Sequence, residues 1–475
     1  MNEDSEQLTI LHQHIKARAL NLKQLLSLPE FHTLSEQGQC ELLLFLSKNN
    51  ITAEQFEEAQ EGTLLALERA KEAKLKLMQA TLWNHLGTIA KRTNDLNRAE
   101  RFFKTSLKLL QQLNHLQGQS SVLNNLGNVA LLKGDYKRAK SYFLEAKKKG
   151  IDDPEDFAIT TLNLSNCYMQ LGNLSSAKTE LKEIENKNQL SPQIQGEIAT
   201  IKGQILSIKE EWDAAIHEFI RALDLLEPNS PIRLIVLRNL GSSYSGLQKF
   251  NEAIQIFEEY LREAKTDALE RSEVLLLLGN IFIQVNDAKR VEECLNAAFN
   301  VAKTPEAQIN ALNSLHHWQK TSSPEKALET LKKMENILKN YNDPFSIASV
   351  QELISELEFS TGKFEKGFLG FKLAQEGYLA LKEYEQAVRI DLKLASVYLY
   401  QKKWQNALES LNAAEEKAKR FKLKTIRIKV QSFQQIVQLL INSTDPDLMK
   451  VFNQLHKQAP PPTKLLLYLS EWKEK

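Results

Sequence analysis

The sequence predicts an all-α solenoid of about nine helix pairs, closed at each end by a helical cap. Two observations carry this reading. Glycine and proline number 17 and 12 among 475 residues, about half the usual share of roughly 12%. That is too few for a turn-rich β-sandwich or for an α/β enzyme with glycine-lined loops. One pattern also recurs along the chain: a small residue after an aliphatic one, an alanine twelve residues on, and an aromatic or leucine four beyond that. Its anchors are Gly87, Gly127, Ser165, Gly203, Gly241 and Gly279, so the first interval is 40 residues and each later one is 38. Hydrophobic residues at 42% and charged residues at 25% supply a core and exclude a disordered tail.

The elements follow in order. Residues 1–77 read as an N-terminal helical cap, with apolar faces at Leu8, Leu11 and Ile15 and at Leu42, Leu43 and Leu46, and a degenerate repeat built on Ser47, Ala59 and Ala66. Residues 78–303 hold six copies: Trp83, Gly87, Ala99 and Phe103; Gly127, Ala139 and Phe143; Ser165, Ala177 and Leu181; Gly203, Ala215 and Phe219; Gly241, Ala253 and Phe257; Gly279, Val291 and Leu295. Over 304–345 the pattern fades to Trp318, Ala327 and Leu331, with Pro324 at the inter-helix turn, so an irregular repeat or bend is expected there. Residues 346–420 restore it twice, at Gly362, Phe371 and Ala374 and at Ala395, Ala407 and Leu411. Residues 421–475 read as a C-terminal cap: an amphipathic helix over 424–441, chain breaks at Pro446 and at Pro460, Pro461 and Pro462, and a short final helix, Lys464–Lys473.

The physics behind the pattern is helix pairing. Glycine or serine on the first helix lets the second approach its backbone, alanine does the same from the other side, and the aromatic fills the space between. Each pair leaves an apolar face that only a neighbouring pair can cover. The pattern resembles the tetratricopeptide repeat, whose signature is W-x2-L-G-x2-Y followed by A-x3-F. The resemblance implies a tetratricopeptide-repeat right-handed superhelical solenoid. The family's usual repeat is about 34 residues; the surplus here is about one helical turn of 3.6 residues. Similar lengthening occurs in kinesin light chains, in the adaptors named for Leu-Gly-Asn repeats and in Rap-type peptide receptors.

Chemistry is mostly excluded. The chain lacks H-E-x-x-H, paired C-x-x-C, G-x-x-x-x-G-K-[ST], G-x-G-x-x-G and G-x-S-x-G, so no catalytic residue, metal or cofactor is expected and the chain reads as a non-enzyme. Lys+Arg of 61 against Asp+Glu of 60 leaves a net charge of +1, which disfavours naked nucleic acid as the main partner. A basic run, Lys417, Lys419, Arg420, Lys422, Lys424, Arg427 and Lys429, reads as a solvated face, with a nucleic-acid or acidic-partner patch as the other reading. Three scattered cysteines, Cys40, Cys167 and Cys294, fit a reducing compartment. Met1–Gln7 is polar and acidic, and the longest apolar runs fall far short of the roughly 20 residues that span a bilayer. A cytoplasmic location without membrane contact is expected.

Asparagine is the informative residue. The resemblance places a concave groove along first-helix positions that here hold Asn84, Asn124, Asn128, Asn166 and Asn280, with Asn125, Asn163 and Asn239 beside them. Asparagine costs a helix some tenths of a kcal/mol, so its recurrence in register needs a reason. A carboxamide offers one acceptor and two donors, and it can hold both the N–H and the C=O of an extended peptide. A ladder of such rungs is expected at Asn128, Asn166 and Asn280. For Asn125, Asn163 and Asn239 a bond to a neighbouring helix, setting only repeat geometry, is the stronger expectation. Side-chain selection is expected from Leu132, Ile159 and Met169, and preference for an acidic segment from Arg92 and Arg238. Repeat one carries Asn84 and Thr88 where chaperone-tail binders need Lys and Asn, so that partner is not expected. The implied function is a protein-interaction scaffold or adaptor binding a partner peptide in the groove. A peptide-sensing receptor that controls a bound enzyme or regulator, and an assembly chaperone, are the alternatives.

Overall fold

The computed structural model describes residues 3–17, 20–150, 153–185, 190–228, 230–264, 270–442, 445–457 and 461–473. Pro460 and the first two residues of the N-terminal segment lie outside them. Among the described residues every regular element is helical, and no helix is long and apolar enough to cross a membrane. The chain divides into two compact units, 1–256 and 257–475.

The first unit opens with α1 (Glu3–Lys16), α2 (Leu22–Ser27) and α3 (Pro29–Thr33), which seat Leu11, Ile15, Leu25 and Phe31 in the core of the first helix pair. That pair is α4 (Glu36–Thr52) with α5 (Phe56–Glu72). There follow α6 (Lys76–Arg92) with α7 (Leu96–Gln112), α8 (Leu116–Leu132) with α9 (Tyr136–Lys149), α10 (Pro154–Gln170) with α11 (Leu174–Glu185), and α12 (Pro192–Ile208) with α13 (Trp212–Leu225). After α14 (Pro231–Gly246), the division between units falls inside α15 (Phe250–Glu263). The second unit pairs α16 (Arg271–Gln284) with α17 (Ala288–Val301), α18 (Pro305–Ser322) with α19 (Pro324–Tyr341), α20 (Pro344–Ser360) with α21 (Phe364–Ala380), and α22 (Tyr384–Tyr400) with α23 (Trp404–Arg420). It ends in α24 (Lys424–Asn442), α25 (Pro446–Lys457), a 3-10 turn at Pro462–Lys464 and α26 (Leu465–Lys473).

The lengthened repeat has a simple origin. Helices α4 to α8 are each 17 residues long and are joined by three-residue turns whose middle residue is left-handed: Glu54, Lys74, Asn94, Asn114 and Gly134. The same beat returns at Gly362, Lys382, Lys402 and Lys422. Both helices of a pair are thus extended equally. Where the second helix shortens to 14 residues, as in α9, the first helices on either side start at 116 and 154, 38 apart.

Close packing explains the anchors. A Cβ on Gly127 would lie 2.4 Å from the Phe143 ring, and one on Gly87 or Gly203 would lie 2.5 Å from Phe103 or Phe219; all three rings are fully buried. Serine replaces glycine with compensation. Ser165 Oγ donates to the Ala177 carbonyl at 2.9 Å and Ser47 Oγ to the Ala59 carbonyl at 2.7 Å, so no buried donor is stranded. That is how the degenerate copy at Ser47 builds the full pair α4/α5. Within 304–345, α18 and α19 run 18 residues each around Leu312, Ala327, Leu331 and Met334. A buried Thr330-to-Gln319 hydrogen bond of 2.7 Å joins them, a polar substitute that the apolar pattern does not register.

Candidate functional site: the groove of α6, α8 and α10

Helices α6, α8 and α10 are the first helices of three successive pairs, so equal positions on them stack along one face. Asn124 and Asn125 are the ninth and tenth residues of α8, and Asn128 is the thirteenth. The structure separates these positions. Asn125 Nδ2 donates to Asn84 Oδ1 at 3.0 Å, and Asn163 Nδ2 donates to Asn124 Oδ1 at 3.0 Å. Ninth- and tenth-position amides of adjacent repeats therefore bind each other, half-buried. Asn84 and Asn124, expected along the groove, thus have their side-chain acceptors engaged between repeats.

The thirteenth position behaves differently. The side chains of Asn128 and Asn166 take part in no hydrogen bond among the described residues, and both line a cavity of about 570 Å³ with Lys91, Arg92, Leu131, Leu132, Tyr136 and Gln170. Four expected residues, Arg92, Asn128, Leu132 and Asn166, thus meet in one place. Leu132 is 62% exposed, an apolar side chain open to water beside the carboxamides. Gln170, which the repeat pattern had not singled out, is the last residue of α10, as Arg92 is of α6 and Leu132 of α8. Stacking those last residues in register locates it.

Among the described residues no carboxylate lines this cavity. Burial, with Arg92 adding repulsion, lowers the Lys91 pKa from its ordinary value, so its ammonium is held where a counter-charge would be welcome. Neither Lys91 nor Arg92 has an ion-pair partner among the described residues. The cations one turn outside are engaged: Lys133 and Arg138 each lie 2.7 Å from Glu100. Hydrogen bonds from Lys104 and then Lys133, with the Arg138 charge nearby, hold the Glu100 carboxyl down to about 2. The cavity offers donors, two cations and an apolar edge, a set that suits a carboxylate-bearing peptide segment.

The remaining expected residues lie elsewhere. Met169 is half-buried against the core of α10 to α12 with Leu162 and Ile198, so packing occupies it. Ile159 is 38% exposed on the same helix but outside the cavity. Arg238 sits half-buried on α14 and is not a free charge. Asn280 is exposed on α16, in the second unit. Asn239 departs from its expected inter-helix bond: its Nδ2 is buried without a hydrogen-bond partner. The basic run is also no uniform solvated face, since Lys417 reaches buried Asp391 at 2.8 Å and Arg427 lies 3.6 Å from Glu415. Among the described residues no cluster of three or more His, Cys, Asp or Glu forms a metal site.

Comparison with known proteins bears on the scaffold. The family model described as tetratricopeptide repeat matches residues 77–148 and 197–266. No curated protein matches the chain. Among solved structures, a signal-transduction ATPase with numerous domains and a tetratricopeptide-repeat sensor from Pyrococcus horikoshii aligns at TM-score 0.54 and 16% identity, covering 74% of this chain and 54% of that one. The chain thus spans about half of that protein's length. The apo form of the quorum sensor NprR from B. thuringiensis aligns at 0.47 and 12% identity, covering 79% and 97%. A tetratricopeptide repeat protein from Parabacteroides merdae aligns at 0.43 and 17%, covering 58% and 98%. At these identities the likeness concerns the fold.

Proposed function

We propose, on the premise that the chain belongs to the tetratricopeptide-repeat superfamily, that it is a non-enzymatic binding scaffold. Its groove at α6, α8 and α10 captures an extended, acidic segment of a partner protein. The observation that carries this is the cavity in which Lys91 and Arg92 meet the carboxamides of Asn128 and Asn166, with no carboxylate in its lining and no hydrogen bond to those carboxamides among the described residues. The carboxamides would hold main chain, the cations an acidic side chain or a terminal carboxylate, and Leu131 and Leu132 an apolar neighbour.

The second unit supports the main-chain part of this reading. Ser396 is the thirteenth residue of α22, the place that Asn128 and Asn166 hold on their helices. It accepts a hydrogen bond at 3.2 Å from the backbone N–H of Leu466, in the chain's own C-terminal segment. A thirteenth-position side chain can therefore receive a backbone crossing it. Each net hydrogen bond contributes about 0.5–1.5 kcal/mol, so two rungs alone give weak binding and the charges must supply selectivity.

The test is selection of a random dodecapeptide display library on the full chain. Enrichment of Asp and Glu next to an aliphatic residue is expected, with loss of those peptides on Lys91→Glu/Arg92→Glu. Selected peptides without acidic bias, or equal binding to that variant, would overturn the proposal.

A further inference from the structure

The second unit holds a cavity of about 360 Å³ that the repeats alone do not make. Leu392 of α22 and Ile426 and Phe433 of α24 form its apolar side. Leu467, with Thr463 and Lys464, closes it from the C-terminal segment folded back over α22 and α24. That wall is fixed, because Leu465, Leu466 and Leu469 are fully buried in the surrounding core. An extended chain running along the groove would have to pass through Pro462–Leu467, so an occupant must be compact. The volume falls in the range of about 300–1,000 Å³ typical of small-molecule pockets.

The charges at the rim are unequally satisfied. Lys393 is held by Glu352 and Glu356, and Arg389 by Glu385 at 2.7 Å. Lys429 and Lys464 also line the cavity, and neither has a carboxylate within ion-pair distance among the described residues. Glu356 and Glu385 line the cavity too, but each is already paired, with Lys393 and Arg389, so two ammonium groups without a carboxylate partner stand over the apolar side of the cleft. We propose that this cavity binds a small amphiphilic anion, with a carboxylate or phosphate head at Lys429 and Lys464 and an aliphatic body against Leu392, Ile426, Phe433 and Leu467. This site lies wholly within the second unit and does not depend on the peptide-binding reading of the first.

Isothermal titration of the full chain with hexanoate, octanoate, octyl phosphate and octanol tests it. One-to-one binding of octanoate or octyl phosphate is expected, and the stronger of the two identifies the head group. Each methylene buried should tighten binding about fourfold, the ratio set by roughly 0.8 kcal/mol per CH₂, so hexanoate should bind about 15-fold more weakly than octanoate. Octanol should bind at least about tenfold more weakly, for want of the charge interaction. Lys429→Gln/Lys464→Gln exchanges two exposed side chains, leaves the fold intact and should weaken the preferred anion by about tenfold or more; Asn128→Ala should leave it unchanged. Octanol binding as tightly as the anions, an unaffected double variant, or no saturable binding of either anion would overturn the assignment.

Discussion

Asn84 and Asn128 are asparagines on corresponding helices of adjacent repeats, yet their replacement by alanine should affect stability differently. Asn84 accepts a 3.0 Å hydrogen bond from Asn125 across the repeat junction, whereas the Asn128 side chain has no hydrogen-bond partner among the described residues and lines the cavity. Either substitution gains about 0.5 kcal/mol from the better helix propensity of alanine. Asn84→Ala also loses one neutral hydrogen bond, net about 0.5–1.5 kcal/mol, and leaves the Asn125 amide half-buried and unpaired. Asn128→Ala should therefore stabilise slightly, and Asn84→Ala should be neutral to destabilising. The propensity gain is common to both, so the gap between them, about 1 kcal/mol, isolates the inter-repeat bond. Urea unfolding followed by far-UV circular dichroism measures it, with Asn124→Ala and Asn166→Ala as a second pair. Binding should show the reverse order. Asn128→Ala/Asn166→Ala should weaken a selected acidic peptide by about 1–3 kcal/mol, roughly 5- to 150-fold, while Asn84→Ala leaves it within about twofold. If Asn128→Ala destabilises as much as Asn84→Ala, or if affinity follows Asn84, the division between structural and binding amides is wrong.

Other outcomes follow from the packing and the buried charges. Gly127→Ala places a Cβ 2.4 Å from Phe143. Overpacking of about 1–3 kcal/mol exceeds the helix-propensity gain of about 1 kcal/mol, so a net loss in the urea midpoint is expected; unchanged stability would show that the ring can shift freely. Lys382, Lys402 and Lys422 occupy left-handed turn positions, where an L-residue is disfavoured by about 1–2 kcal/mol. Glycine at each should stabilise by about 0.5–1 kcal/mol after its own entropic cost, and a fall in thermal midpoint would contradict this. His85 and His316 are both pushed down to about 4, chiefly by burial. Between about pH 6.5 and 4 the unfolded chain binds more protons, so stability should fall as pH drops through that window, by up to about 1.4 kcal/mol per unit for each histidine. His85→Gln should flatten that slope, and an unchanged slope would exclude its part. Lys417→Met leaves Asp391 buried without its cation and should cost about 3–5 kcal/mol, measured against a neutral outcome for exposed Lys419→Met.

The helix pairs were legible because their cause is local and periodic. Glycine, alanine and phenylalanine must recur at fixed intervals for two helices to touch, and Gly127, Ala139 and Phe143 state that requirement directly. Where polar groups do the same work, as Ser47 does against the Ala59 carbonyl or Thr330 against Gln319, the pattern weakens although the pair is fully formed. The site was legible only in part, because its deciding variable is orientation rather than composition. Asn124 and Asn128 lie one helical turn apart on α8; one meets the neighbouring repeat and the other meets open space. Stacking whole helices in register, rather than reading each one, recovers that difference and adds Gln170. The second cavity lies beyond any such reading. Its wall comes from a segment joined to Ser396 by a contact spanning 70 residues, and its two free lysines become a pair only when that segment folds back. A repeat array repeats its grooves, but what makes one groove unlike the next lies outside the shared pattern: in the first unit Lys91 and Arg92, cations left without carboxylates among the described residues, and in the second the Pro462–Lys473 segment that follows the repeats.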